Sequence, residues 1–224
     1  MAHVLENISE KIPENTRRIF SLLSGEVLWL REKWLNYNYL FGHSPERVEA
    51  LNQGGPTFFY ILDYLFIDDF ILTLSRLTDP AEAKESNLSF EQLIVMLDKN
   101  AHSELIQKLT PLLKSLRDKA ASVRKHRHKR VAHSDFDTAV RPDDVLPAVS
   151  RQTIENALLE AESFLNAFDF YFTGEELLHD TLIIQNGSDV LFAKLLKARE
   201  YEELERDGKI PQGTWCNSKS FQSL

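Results

Sequence analysis

The sequence predicts an all-α protein, an up-and-down bundle of five or six helices, from three observations. Apolar residues recur at steps of three and four residues in most segments, which is the period of one helix face. Proline and glycine stand where these segments begin and end, as they do at helix boundaries. A segment near the middle is apolar on nearly every side, which is typical of a buried helix. The 224 residues, 43% of them hydrophobic, are enough for one domain over residues 1–212 and a tail over residues 213–224.

The first two predicted helices differ in how much of their surface is apolar. The first covers residues 14–41 with one apolar face and ends at Gly42. The second covers residues 57–77 and is apolar almost all round, so we expect it to be the central, most buried helix. Three aspartates near its middle argue against a membrane span, because each charge would cost about 2.5–3.5 kcal/mol there. It ends at Asp79-Pro80, since proline disfavours helical geometry in the residue before it.

Asp69 and Arg76 lie on one stripe of this second predicted helix, together with Thr73. One interpretation is that both charged residues pair within the helix or with a neighbouring helix. The other is that the stripe faces a basic segment further along the chain and orients it. The sequence leaves both interpretations open.

Four further helices are predicted from the same periodicity, over residues 89–98, from about residue 103 through Val123, over residues 150–172 and over residues 188–205. Ser89-Phe90-Glu91-Gln92 is typical of a capping box, in which a serine and an acid or amide satisfy free N–H groups at the helix start. Pro111 is expected to kink the fourth helix or to mark its start.

Residues 114–134, the basic segment, differ from the rest of the chain in charge. They include eight Lys or Arg and one acid, a net charge of +7 in a chain of net charge −8. Either the basic segment binds a polyanion such as RNA, or it is a solvated helix end whose cations complement the helix dipole. The apolar stripe of the fourth helix, continued four residues beyond Val123, reaches Arg127. An arginine therefore stands where the pattern predicts a core residue.

The string from Arg127 to Asp135 has the form Arg, polar, Lys, any, aliphatic, Ala, His, small, Asp, with His133 after five intervening residues. It resembles the Arg-to-His motif of the HEPN superfamily, in the branch related to phage abortive-infection proteins. Two other stretches resemble that branch, Tyr39-Leu40-Phe41-Gly42 and Ser75-Arg76-Leu77-Thr78-Asp79-Pro80. The resemblance implies a HEPN-like helical bundle, and many HEPN proteins are metal-independent ribonucleases.

The resemblance also implies that Arg127 and His133 are the catalytic residues. Histidine titrates at a pKa of about 6.5 and can transfer the protons that RNA cleavage moves. Arg127 is planar and always charged, so it can hold a phosphate through two donors. Further side chains are expected to attract the RNA backbone, with the role of the histidine among them left open: Arg124, Lys125, His128, Lys129 and Arg130.

His133 lies six residues after Arg127, which places it about 120° around a straight helix. The two side chains converge only if the helix ends or bends between them, or if they reach across to a second copy. HEPN proteins are generally dimers with paired motifs lining a shared cleft. We therefore predict a homodimer whose interface involves the fourth helix or its neighbours and places the two basic segments near one another.

Other chemistries are disfavoured. His126, His128, His133 and Asp135 lie close together, but adjacent Arg and Lys repel a divalent ion, so we predict no metal. No Gly-x-Ser-x-Gly or glycine-rich phosphate loop is present, and no cofactor is predicted. A single cysteine, Cys216, fits a reducing compartment, and no apolar signal peptide precedes the first helix, so we expect a cytoplasmic protein without a membrane partner.

Two functions remain. One is a metal-independent endoribonuclease that cleaves RNA, such as a toxin or phage-defence effector, with an antitoxin as a further partner. The other is a catalytically silent HEPN module that binds nucleic acid, a nucleotide or a partner protein. The acidity of the chain supports the second function, because a dedicated RNA enzyme usually has a broader basic face.

Overall fold

The structure, a computed structural model, describes residues 8–42, 44–81, 87–131, 149–176 and 186–213. In these residues it contains eight α-helices, two π-helical turns and no strand. In chain order they are α1 Glu14–Tyr37, the first π-helical turn Asn38–Gly42, α2 Pro45–Gly54, α3 Pro56–Leu77, α4 Phe90–Val95, α5 Ser103–Lys119, α6 Ala121–His126, the second π-helical turn Arg127–Val131, α7 Arg151–Thr173 and α8 Ser188–Arg206. The predicted all-α fold is confirmed.

The described residues contain eight α-helices, two more than the six that the sequence predicts. The reasons lie in the local sequence. Helix α2 has no predicted counterpart, although Ser44 caps it by accepting a hydrogen bond from the N–H of Arg47. The predicted fourth helix is divided at Ala120 into α5 and α6, and Pro111 lies inside α5. The capping box predicted at Ser89 is wrong, because Ser89 precedes α4 but its side chain makes no capping hydrogen bond.

The chain divides into two compact units, Met1–Trp34 with Tyr64–Ile183, and Leu35–Asp63 with Ile184–Leu224. In the first unit, α5 packs along α7, and aromatic contacts join α1 to α3 and α7. Phe20 stacks on Phe168 with ring centroids 4.8 Å apart, and Trp34 meets Phe70 edge-on at 5.3 Å. All four side chains are buried, so they form the centre of this core. A single domain over residues 1–212 stays a prediction.

The second unit packs the first π-helical turn, α2 and α8 together. Its buried centre consists of Leu40, Ala50, Leu51, Phe59 and Phe192. Arg47 of α2 lies with its guanidinium 4.0 Å from the ring centroid of Tyr39 and donates a hydrogen bond to the Tyr39 carbonyl oxygen at 2.9 Å. These contacts hold α2 against the π-helical turn.

Helix α3 is only partly buried, and the prediction that it is the most buried helix is wrong for much of its length. Phe70, Ile71, Leu74 and Leu77 are buried. The exposed stripe of α3 consists of Phe58, Ile61, Leu65 and Leu72, each 42–61% exposed. These four residues fall within an arc of about 60° at 3.6 residues per turn. An apolar composition predicts that a helix face avoids water, but it does not identify what covers that face.

A buried ion-pair network joins α1 to α7. Nε and Nη2 of Arg31 donate to the two carboxylate oxygens of Glu162 at 2.6 and 2.7 Å. Nη1 of Arg31 donates to Glu155 at 3.0 Å, and Glu155 also accepts from the indole N–H of Trp34. Burial opposes the charged form of Arg31, but the hydrogen bonds to both glutamates outweigh this, and the pKa of its guanidinium is raised.

Candidate functional site around Arg127

The described part of the basic segment runs from the last turns of α5 through α6 to the second π-helical turn. Val123 is fully buried and holds α6 on the core of the first unit. Arg127 begins the π-helical turn, in which backbone hydrogen bonds span five residues instead of four. Such turns are rare and occur frequently at functional sites.

Asp79 holds the guanidinium of Arg127. Nη1 of Arg127 lies 3.0 Å from Oδ1 and 3.1 Å from Oδ2 of that carboxylate. Oδ2 also accepts a hydrogen bond from Nδ2 of Asn87 at 2.9 Å. The Asp79 side chain is 9% exposed and the Arg127 side chain 33% exposed. One terminal nitrogen of Arg127 is thus fixed against the protein, while a third of its side chain remains open to solvent.

Two more arginines reach the turn that follows α3. Nη1 of Arg124 donates to the carbonyl oxygen of Thr78 at 2.9 Å, and Nε of Arg117 donates to the same oxygen at 3.0 Å. Nη2 of Arg124 lies 3.8 Å from Oδ1 of Asp79. We call Arg117, Arg124 and Arg127 the arginine cluster. Arg117 and Arg124 donate to backbone carbonyl oxygens just beyond the C-terminus of α3, where cations are favourable, and Arg127 donates to the Asp79 carboxylate.

Glu91 of α4 is the second carboxylate beside the arginine cluster. It accepts hydrogen bonds from Nη1 and Nη2 of Arg117 at 3.3 and 3.1 Å and from the N–H of Ala81 at 2.7 Å. The hydrogen bond from Arg117 holds the pKa of Glu91 below its ordinary value, against the opposing effect of burial. Ionised Glu91 therefore stabilises the fold above its ordinary pKa, and this contribution is lost as pH falls through the lowered value. Among the described residues, the three arginines outnumber the two carboxylates that they contact, and such an excess of positive charge favours anions.

The remaining predicted backbone-binding residues differ in exposure. Lys125 and His128 are exposed, and Lys129 is half-buried. The side chain of Arg130 lies outside the described residues, and so do His133 and Asp135.

Asp69 and Arg76, the predicted supporting residues, both pair with α1. Nζ of Lys33 donates to the carboxylate of Asp69, and Nη2 of Arg76 donates to Glu26 at 2.8 Å. These ion pairs join neighbouring helices, as in the first of the two interpretations.

Sequence reasoning missed Asp79, Asn87 and Arg117 as members of the site. In the sequence, Asp79 and Pro80 predict the end of a helix, and nothing in that pattern assigns a role to the Asp79 side chain. A signal was present, because the stretch from Ser75 to Pro80 was one of the three that carried the family resemblance. The structure brings this stretch into contact with the string that begins at Arg127.

The family model described as AbiU2, one of the HEPN models, matches residues 13–189 of the chain. The match covers both the turn after α3 and the whole string from Arg127 to Asp135. No curated protein and no solved structure is significantly similar to the chain. In the described residues, no helix combines the length and the apolar character that a membrane span requires.

Proposed function

The chain belongs to the AbiU2 family of HEPN proteins, and from this we propose that it is a metal-independent endoribonuclease. The observation that carries the proposal is the state of Arg127. This arginine of the motif is fixed at one nitrogen by Asp79, is one third exposed, and lies in a cluster with excess positive charge. A partly exposed, pre-oriented guanidinium is suited to hold a phosphodiester in two-donor geometry.

In the proposed reaction, His133 takes the proton of the ribose 2′-hydroxyl, and the 2′-oxygen attacks the adjacent phosphorus. The bond from phosphorus to the 5′-oxygen breaks, and that oxygen takes up the proton that His133 holds. The products are a 2′,3′-cyclic phosphate and a 5′-hydroxyl. Arg127 stabilises the additional negative charge on the phosphoryl oxygens in the transition state, and Lys125 and Lys129 attract the RNA backbone.

We further propose that the protein is a toxin or phage-defence effector, and that a partner antitoxin restrains its ribonuclease activity.

The first prediction is that the purified protein cleaves total RNA in the presence of EDTA. Because no step requires a metal, chelation should leave the rate within about twofold, and the fragments should carry a cyclic phosphate and a 5′-hydroxyl. DNA of the same sequence should remain intact because it lacks the 2′-hydroxyl. The measurement is end-group analysis of the fragments after incubation with and without EDTA. Loss of cleavage on chelation, or cleavage of DNA at a similar rate, would contradict the proposed function.

We also propose that the protein is a homodimer and that the exposed stripe of α3 forms its interface. Four large apolar side chains in one narrow arc are more than a monomeric surface usually presents in one place. Membership of the HEPN family favours a second copy as the occupant, because HEPN domains are often dimeric. The turn that follows α3 also anchors Arg127, through Asp79.

The second prediction is that Leu65→Glu converts the dimer into a monomer, because it places a charge in the centre of an apolar interface. The measurement is light scattering coupled to size-exclusion chromatography at tens of micromolar protein, about the usual working concentration. The matched control is Leu159→Glu, which alters an exposed leucine of α7 outside the stripe and should leave the mass unchanged. A monomeric wild type, or a dimer that persists in Leu65→Glu, would contradict the proposed interface.

The second candidate function is a catalytically silent HEPN module that binds nucleic acid, a nucleotide or a partner protein. The acidity of the chain as a whole, with a net charge of −8, favours it. The two candidates differ in one measurement. A silent module binds RNA or nucleotide and releases it uncut, whereas the endoribonuclease yields cyclic phosphate ends.

A further inference from the structure

We propose that Asp79 is a positioning residue, which orients Arg127 so that its outer edge receives the scissile phosphate. This inference rests on the proposed function, because it assigns to Asp79 a role toward the arginine of the same site. The observation behind it is that the carboxylate uses both oxygens on a single nitrogen of Arg127. Among the described residues, neither Nε nor Nη2 of Arg127 makes a hydrogen bond. One end of the guanidinium is therefore anchored, and the donors that remain can take two phosphate oxygens.

Asp79 is itself held firmly enough to serve as an anchor. Its backbone N–H donates to the carbonyl oxygen of Arg76 at 3.1 Å, and its side chain is nearly buried. Asn87 donates to Oδ2 at 2.9 Å, which fixes the rotation of the carboxylate. Nη2 of Arg117 also lies 3.4 Å from the Asp79 carbonyl oxygen. Backbone, carboxylate and preceding turn are each restrained by a separate contact.

The end of α3 is restrained in turn. The hydroxyl of Thr78 donates to the carbonyl oxygens of Leu74 and Ser75 at 3.0 and 2.9 Å, inside the protein. The carbonyl oxygen of Thr78 accepts from both Arg117 and Arg124. Arg127 is thus connected to the core of the first unit through a short series of partly buried and buried contacts. A long side chain with many rotamers gains a defined direction from such support.

The test compares cleavage of a defined RNA oligonucleotide by the wild type, Asp79→Asn and Asp79→Glu. We expect Asp79→Asn to lower kcat by about 10–100-fold, the usual effect of removing a residue that orients a functional group, with KM changed by less than about threefold. Asp79→Glu keeps the charge and should recover part of the loss. The matched control is Glu26→Gln, which removes the ion pair between Glu26 and Arg76. The side chain of Arg76 is 32% exposed, close to the 33% of Arg127. This control should leave kcat within about twofold.

A second measurement is independent of activity, and its first result needs only the wild type. In the wild type labelled with ¹⁵N-arginine, NMR should show slow rotation of the Arg127 guanidinium, and Asp79→Asn should restore fast rotation. An Arg127 that rotates as freely as an exposed arginine in the wild type would overturn the proposal. A higher kcat in Asp79→Asn would also overturn it, because Asp79 would then compete with the phosphate. If the wild type cleaves no RNA while Arg127 is ordered by Asp79, the proposed function fails and the positioning of Arg127 stands.

Discussion

Replacing His133 by alanine is expected to slow RNA cleavage by about 10²–10⁴-fold, the range that a positioned acid–base group contributes. Alanine can neither take the proton of the 2′-hydroxyl nor return one to the leaving oxygen. Arg127→Lys should reduce the rate by about 10²–10³-fold, because an ammonium keeps the charge but loses the planar two-donor geometry. The measurement is the single-turnover rate on a 5′-labelled RNA with protein in excess.

The matched control for His133→Ala is His102→Ala, which removes a histidine at the start of α5 that packs against Phe172. This variant should keep the wild-type rate if it remains folded. Its thermal unfolding and that of His133→Ala are compared in the same buffer. Cleavage that survives both His133→Ala and Arg127→Ala would show that the chemistry belongs to other residues.

Arg31→Ala is expected to lower the free energy of unfolding by about 3–5 kcal/mol, the cost of breaking a buried ion pair from one side. Arg31 and Glu162 are 6% and 7% exposed, so the carboxylate left behind cannot be hydrated without opening the contact between α1 and α7. Glu155 would lose the hydrogen bond from Arg31 and keep the one from the Trp34 indole N–H. The measurement is urea unfolding followed by circular dichroism, evaluated at constant m-value.

Two further variants make this result specific. Arg18→Ala alters an exposed arginine on the same helix and should change the unfolding free energy by no more than about 0.5 kcal/mol. Replacing the pair together, as Arg31→Met with Glu162→Leu, should be less destabilising than Arg31→Ala, since no unpaired charge remains buried. A loss below about 1 kcal/mol in Arg31→Ala would mean that water or another cation compensates for the arginine.

The sequence predicted the helices best where periodicity and boundary residues agree. The range predicted for the fifth helix, residues 150–172, corresponds to α7, because Ser150 caps it and Gly174 follows in a left-handed conformation. Helix α2 was missed because only ten residues with a weak apolar face separate its cap from Gly55. The exposed stripe of α3 could not be predicted. The sequence shows that its residues are apolar, but not whether the protein's own chain or another molecule covers them.

The site was predicted in part. Arg127 stood out because it continues an apolar stripe, and the structure places it half-buried at a change of helical geometry. Its partner Asp79 lies 48 residues earlier, and no local pattern links residues so far apart. The sequence places Asp69 and Arg76 on a common face of one helix, but it does not show which helix packs against that face. In the structure both residues pair with α1.

The arginine cluster also has a consequence for how the fold opens. Arg117, Arg124 and Arg127 bind the turn after α3 from three successive points of the chain, so that turn and α6 cannot fray separately without breaking charged hydrogen bonds. Local unfolding therefore joins them into one cooperative unit. A destabilised end of α3 would release Arg127 at the same moment, and the population of protein able to bind a phosphate would follow the stability of this helix end.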